Sequence, residues 1–211
     1  QCLVGSEMCI RDSLYAFSIL FDYFCRKKDE LSLTPMLNAY PDSLGGTLSD
    51  IADLLESSCK DAFGAFYILP SVFNTDLDRG FSVVDYSLNE LLATPQDLER
   101  IRALGIRLKL DFILNHASVL SPQFQDLLKN GKMSKYKDFF IDWNAFWAGC
   151  GEMMPGGYIQ PTPEYLHKMF FRKPGLPILM VRMPDGTEKP YWNTFYQQVD
   201  YLSLIHISEP T

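Results

Sequence analysis

The sequence predicts an α/β fold built on parallel strands, and three observations carry that prediction. Short apolar segments at residues 35–40, 65–69 and 106–114 alternate with two stretches of helical periodicity. The connections between them are short, which calls for parallel pairing through right-handed crossovers. The third segment ends in LKLDFILNH: it is apolar at Ile106, Leu108, Leu110, Phe112 and Leu114, and gathers Asp111, Asn115 and His116 at its carboxyl end. In a parallel α/β barrel that end carries catalytic and substrate-binding groups. A buried strand with a capping Asn and an incidental His would leave the same pattern.

Taken in order, residues 35–40 (PMLNAY) form the first strand, followed by a Pro-Asp-Ser-Leu-Gly-Gly turn. Thr47 then caps a helix with Leu48, Ile51, Ala52 and Leu55 on one face. Residues 65–69 (AFYIL) form the second strand, stopped by Pro70, and residues 71–89 read as a long loop rich in aromatics and acids. Thr94-Pro95 opens the next helix with Pro at its first position, and Gly105 ends it. Ser121-Pro122 opens another helix after the third strand. Beyond it, residues 136–147 are aromatic-rich and residues 150–191 are dense in Gly and Pro. The Pro184-Asp185-Gly186 triplet, flanked by LMVRM and YWNTF, reads as a β-hairpin turn. The run TPEYLHKMFF looks helical and gives His167 a packing role. The expected organisation is therefore β/α units over residues 33–130, a small irregular subdomain over 131–195, and a return segment over 196–201.

The two ends read differently. Residues 4–13 are VGSEMCIRDS and residues 202–211 are LSLIHISEPT. One DNA sequence encodes the second, and its reverse complement, read from its second base, encodes the first. Two protein termini have no reason to be related in this way, so residues 1–13 and 202–211 are expected to be translated sequencing adapter and are set aside from fold reasoning. Residues 14–32 stay unassigned. Their apolar start, LYAFSILFDYFC, is too short for a bilayer span and carries its positive charge behind it, unlike a secretory signal.

The formal charge is −7, or −5 once the three acids and one base of the two ends (Glu7, Asp12, Glu209 and Arg11) are set aside. An acidic, well-mixed chain argues against a nucleic-acid partner. Cys25, Cys59 and Cys150 are scattered, with no CxxC pair, and offer neither a disulfide framework nor a metal site. They fit a reducing cytoplasm. The expectation is a cytoplasmic protein with no metal, no cofactor, no nucleic-acid partner and no membrane partner.

The Asp111-x-x-x-Asn115-His116 ending, followed by an irregular insertion, resembles the α-amylase superfamily of glycoside-active enzymes. The resemblance sharpens towards its sucrose phosphorylase-like branch through FYILP at 66–70, DRGFSVVDY at 78–86, FFRKPGLP at 170–177 and YWNTF at 191–195. It spans about residues 34–201, with the segments in the same order and at similar spacing. It implies the amino-terminal part of a (β/α)8 TIM barrel, with a small irregular subdomain inserted after strand 3. It also implies that Asp78 and His116 grip glucosyl hydroxyls, and that Phe81 and Phe195 offer apolar or stacking surface beside the sugar. Asp111 and Asn115 would hold the strand-end loop and orient His116, and Lys173 would draw phosphate on the acceptor side. The branch spaces a Gln four residues after its Phe, whereas Gln198 follows Phe195 by three, so Gln198 is a candidate in a shifted register. Lys109 falls on the strand face of Asp111, where it could pair with a carboxylate.

The resemblance implies a retaining glucosyl-transferring enzyme, sucrose phosphorylase-like, acting on a sugar substrate and inorganic phosphate. An α-glucosidase or amylase-type hydrolase, or a non-catalytic carbohydrate-binding relative, is the alternative. A retaining enzyme needs two carboxylates about 5 Å apart, one as nucleophile and one as acid/base. In this superfamily they follow strands 4 and 5, so no catalytic residue is expected in residues 14–201, and this chain alone is expected to be inactive.

Overall fold

The computed structural model describes residues 34–76, 79–169, 171 and 174–202. The chain divides into two compact units: one of residues up to 81 together with 85–112, the other of residues 82–84 together with those from 113 onwards.

The first unit is built on a three-stranded parallel sheet of β1 (Met36–Ala39), β2 (Ala65–Ile68) and β5 (Arg107–Lys109), in the order β1-β2-β5. Helices α1 (Leu48–Glu56) and α2 (Pro95–Ala103) provide the connections. Both begin with a capping box, Thr47 with Asp50 and Thr94 with Asp97, in which hydroxyl and carboxylate satisfy backbone donors that the first turn leaves open. Leu48, Ile51, Ala52 and Leu55 of α1 are all buried, as their spacing predicts. They pack with Phe66, Ile68, Ile101 and Ile106 in one aliphatic core. Each large side chain there contributes about 1.5–3 kcal/mol by leaving water. Arg100 of α2 donates to both carboxylate oxygens of Glu56 (3.0 and 2.6 Å) and to Asp53 (2.5 Å), joining the two helices at the surface.

Two expectations change in this unit. The loop over 71–89 contains paired strands, β3 (Phe73–Thr75) and β4 (Val83–Leu88). Their apolar positions are interleaved with Asn74, Asp85 and Ser87, which made the segment look like loop; the Asn74 amide donates to Asp85 at 3.0 Å. The third strand is also shorter than residues 106–114. Its ladder with β2 stops at Tyr67↔Lys109, because Pro70 ends β2, and the Pro70 carbonyl instead accepts the Asp111 N–H at 2.6 Å.

In the second unit, β6 (His116–Ser118) pairs antiparallel with β11 (Gln198–Asp200). The hairpin β9 (Ile178–Arg182) and β10 (Glu188–Trp192) turns at Pro184-Asp185-Gly186 as predicted, with Gly186 at φ +81°. Single bridges, Phe140↔Tyr201 and Asp142↔Tyr191, place residues 140–142 between the two pairs. Helix α3 (Pro122–Asn130), capped by Ser121, buries Phe124 and Leu127 here, with Phe140, Met183, Tyr191 and Val199. A second cluster centres on Trp143 of α4 (Trp143–Phe146), with Trp147, Ile159 and Trp192. The Trp143 indole N–H donates to the Ile159 carbonyl at 2.7 Å, within β8 (Ile159–Pro161), which pairs with β7 (Gly151–Met153). The TPEYLHKMFF run supplies only the short helix α5 (Pro163–Leu166), with His167 at its carboxyl cap.

Candidate functional site

The parallel sheet sorts its side chains by alternation. Phe66, Ile68, Leu108 and Leu110 pack with the helices; the positions between them carry a polar row in register, Asn38↔Tyr67↔Lys109. The Tyr67 hydroxyl donates to the Asp111 carboxylate at 2.6 Å, and that bond raises the phenol pKa above its ordinary value. Among the described residues Lys109 shows no ion pair with a carboxylate; its ammonium lies over the Tyr67 ring, 3.8 Å from the centroid, where the ring face attracts the charge.

At the other end of the hairpin loop, Phe81 presents an apolar surface that is 41% exposed. The preceding turn is tightly specified. Gly80 is buried at φ +119°, and a Cβ on it would lie 2.4 Å from Cδ of Pro70, so no other residue fits without displacing that proline. Asp78 and Lys173 lie outside the described residues.

In the second unit the β6–β11 ladder places His116 opposite Asp200 and Ser118 opposite Gln198. Alternation then projects these four side chains from one face and Ala117 and Val199 from the other, where Val199 joins the core. Gln198 is thus a diagonal neighbour of His116 on this face, about 7–8 Å away, and it is buried together with Ser118 and Asp200. The three-residue spacing from Phe195 closes as a turn: the Gln198 N–H donates to the Phe195 carbonyl at 3.0 Å, with Tyr196 at φ +37°. Asn115 is exposed, and its carbonyl accepts the Tyr201 N–H at 2.9 Å.

Two residues of this surface were not singled out by sequence. Asn193 is 1% exposed, and its amide donates to the carbonyls of Tyr196 (2.7 Å) and Gln198, clamping the turn that carries Phe195. Thr194 donates to the buried Asp200 carboxylate at 2.5 Å. Both precede Phe195 within the YWNTF motif, and that adjacency was the available signal. Among the described residues no group of three or more His, Cys, Asp or Glu side chains is placed to hold a metal. Nor is any helix there long and apolar enough to cross a membrane.

Comparison with known proteins places this geometry in context. No protein-family model matches the chain. Over 166 residues it is 59% identical to a sucrose 6(F)-phosphate phosphorylase of Ilumatobacter coccineus, covering 78% of this chain and 32% of that protein. A sucrose phosphorylase of Streptococcus mutans is 33% identical over 78% of the chain and 32% of its own length. The crystal structure of a sucrose 6F-phosphate phosphorylase from Thermoanaerobacter thermosaccharolyticum superposes with a TM-score of 0.69 at 32% identity, covering 83% of this chain and 35% of that one. A trehalose-6-phosphate hydrolase of Bacillus licheniformis shares the fold alone, with a TM-score of 0.59 at 21% identity. The chain thus spans about a third of the length of the curated relatives it matches. With the strand-end motif, the insertion and the fold in agreement, it is a sucrose phosphorylase-like member of the α-amylase superfamily that carries part of the (β/α)8 barrel.

Proposed function

We propose that the full enzyme to which this chain belongs transfers an α-glucosyl group from a sucrose-type donor to inorganic phosphate, with sucrose 6F-phosphate as the preferred donor. The observation that carries this reading is the 59% identity to a sucrose 6(F)-phosphate phosphorylase, against 33% to a sucrose phosphorylase. In the first step a carboxylate outside this chain displaces the fructosyl oxygen, which takes a proton from the partner acid, and a β-glucosyl ester forms. In the second, phosphate oxygen breaks that ester bond and α-glucose 1-phosphate leaves. This chain's residues bind and orient the donor: His116 and Asp78 through sugar hydroxyls, Phe81 and Phe195 as apolar walls, Gln198 as an amide donor and acceptor beside His116. Lys173 supplies a cation for phosphate. Asp111 and Asn115 hold the strand-end backbone, and the reaction runs in the cytoplasm on phosphorylated or free disaccharide.

The test uses the complete gene product. Glucose 1-phosphate release is measured from sucrose 6F-phosphate and from sucrose, with and without phosphate. The expected result is phosphate-dependent release, faster from the phosphorylated donor. Free glucose at the same rate with or without phosphate would make the enzyme a hydrolase, and failure to cleave or bind either sugar would leave a non-catalytic relative.

A further inference from the structure

Arg79 stands out because it combines an unusual backbone with two side-chain anchors. Its φ of +56° lies in the left-handed region that a side chain with a Cβ seldom adopts. Such outliers persist where the surroundings over-determine them. Here the guanidinium forms an ion pair with Asp42 and lies over the Tyr40 ring, 4.2 Å from the centroid. Tyr40 and Asp42 lie just after β1, so the contact ties the connection between β3 and β4 to the segment that follows β1. The next residue, Gly80, is packed on Pro70, and the one after it is the half-exposed Phe81. Two successive residues at positive φ, each anchored to a different strand end, fix the direction in which Phe81 leaves the turn.

We propose that Arg79 is a positioning residue: clamped by Asp42 and Tyr40, it sets the turn that presents Phe81 to the donor sugar. The inference rests on the glucosyl-transfer reading, because it takes Phe81 as the sugar's apolar wall. Arg79 itself, engaged with Asp42, makes no contact with substrate in this account.

The experiment compares the complete enzyme with Arg79→Gly, Arg79→Lys and the charge swap Asp42→Arg/Arg79→Asp. Glycine tolerates the left-handed turn, so Arg79→Gly removes the clamp without adding backbone strain. The expected result is a KM for the glucosyl donor raised about tenfold with kcat changed less than threefold, the split expected when ground-state and transition-state binding are lost together. Arg79→Lys should fall between, and the charge swap should recover part of the loss. A donor KM for Arg79→Gly within twofold of the parent would overturn the clamp. Should turnover prove independent of phosphate while the donor KM still tracks Arg79, the phosphorylase reading falls and the clamp stands.

Discussion

The two units are stabilised by different means. The first buries an aliphatic core between parallel strands and helices that follow one another closely in sequence. The second has little regular structure: its strands are three to five residues long, and its centre is aromatic, with Trp143, Trp147 and Trp192 in mutual ring contact. Leu and Ile fill a layer whose geometry is already set by repeating backbone. Large rings with a polar edge can instead organise backbone that does not repeat, as when the Trp143 indole bonds the β8 carbonyl. Regularity and side-chain anchoring are alternative ways to specify a surface, and this chain uses one in each half.

All three tryptophans lie in the second unit, so their emission reports that half alone, and the contrast can be broken one side at a time. Trp143→Ala carries the largest expected effect, about 3–5 kcal/mol. The transition seen by the remaining tryptophans should collapse while hydrogen exchange over residues 48–109 stays slow. Ile51→Ala should do the reverse at about 3 kcal/mol, accelerating exchange in the first unit and leaving tryptophan emission in place. Joint loss in either variant would show that the halves unfold together.

Alkaline pH probes both. Burial pushes the phenols of Tyr86, in the first unit, and Tyr191, in the second, up to about 12. A raised folded pKa adds stability that is complete below the unfolded value, about 10, and is lost as pH rises through the folded one. Each tyrosine should therefore cost on the order of 2 kcal/mol between pH 10 and 12. Tyr191→Phe should remove that loss for the tryptophan-reported transition only.

Asn193→Ala should cost about 1–2 kcal/mol, since it strips a donor from two carbonyls of the Phe195 turn. Faster exchange should be confined to residues 194–198. Arg100→Met is expected to change least, because exposed ion pairs contribute little and are screened; its small effect on first-unit exchange should vanish at high salt.

The same contrast explains what could be read from sequence. Thr47, Pro95, Gly105 and the buried face of α1 were legible because helix caps and 3.6-residue spacing are local signals. Strands β3 and β4 were missed because polar Asn74 and Asp85 pair with each other across the ladder, something no single segment reveals. The end of β5 was misplaced for a related reason: Pro70, just beyond the end of another strand, decides where its ladder stops. His116 could be named from its motif, whereas Gln198 was a candidate only in a shifted register, one that depends on a turn closed between Phe195 and Gln198 and clamped by Asn193. Lys109 drew attention as an anomaly, and its resolution over Tyr67 needed the parallel register.

The pairing of β6 with β11 has a consequence for the order of events during synthesis. The three described strands of the parallel sheet have all emerged with Lys109, whereas His116 waits for Asp200, far later in the chain. Closing so wide a loop carries an entropic cost that local helix–strand contacts do not. A growing polypeptide halted before Gln198 would hold the strands and helices of the aliphatic core while β6 still lacked its partner strand. The interval between the emergence of Lys109 and that of Gln198 is therefore the one in which β6 stands with an unpaired edge.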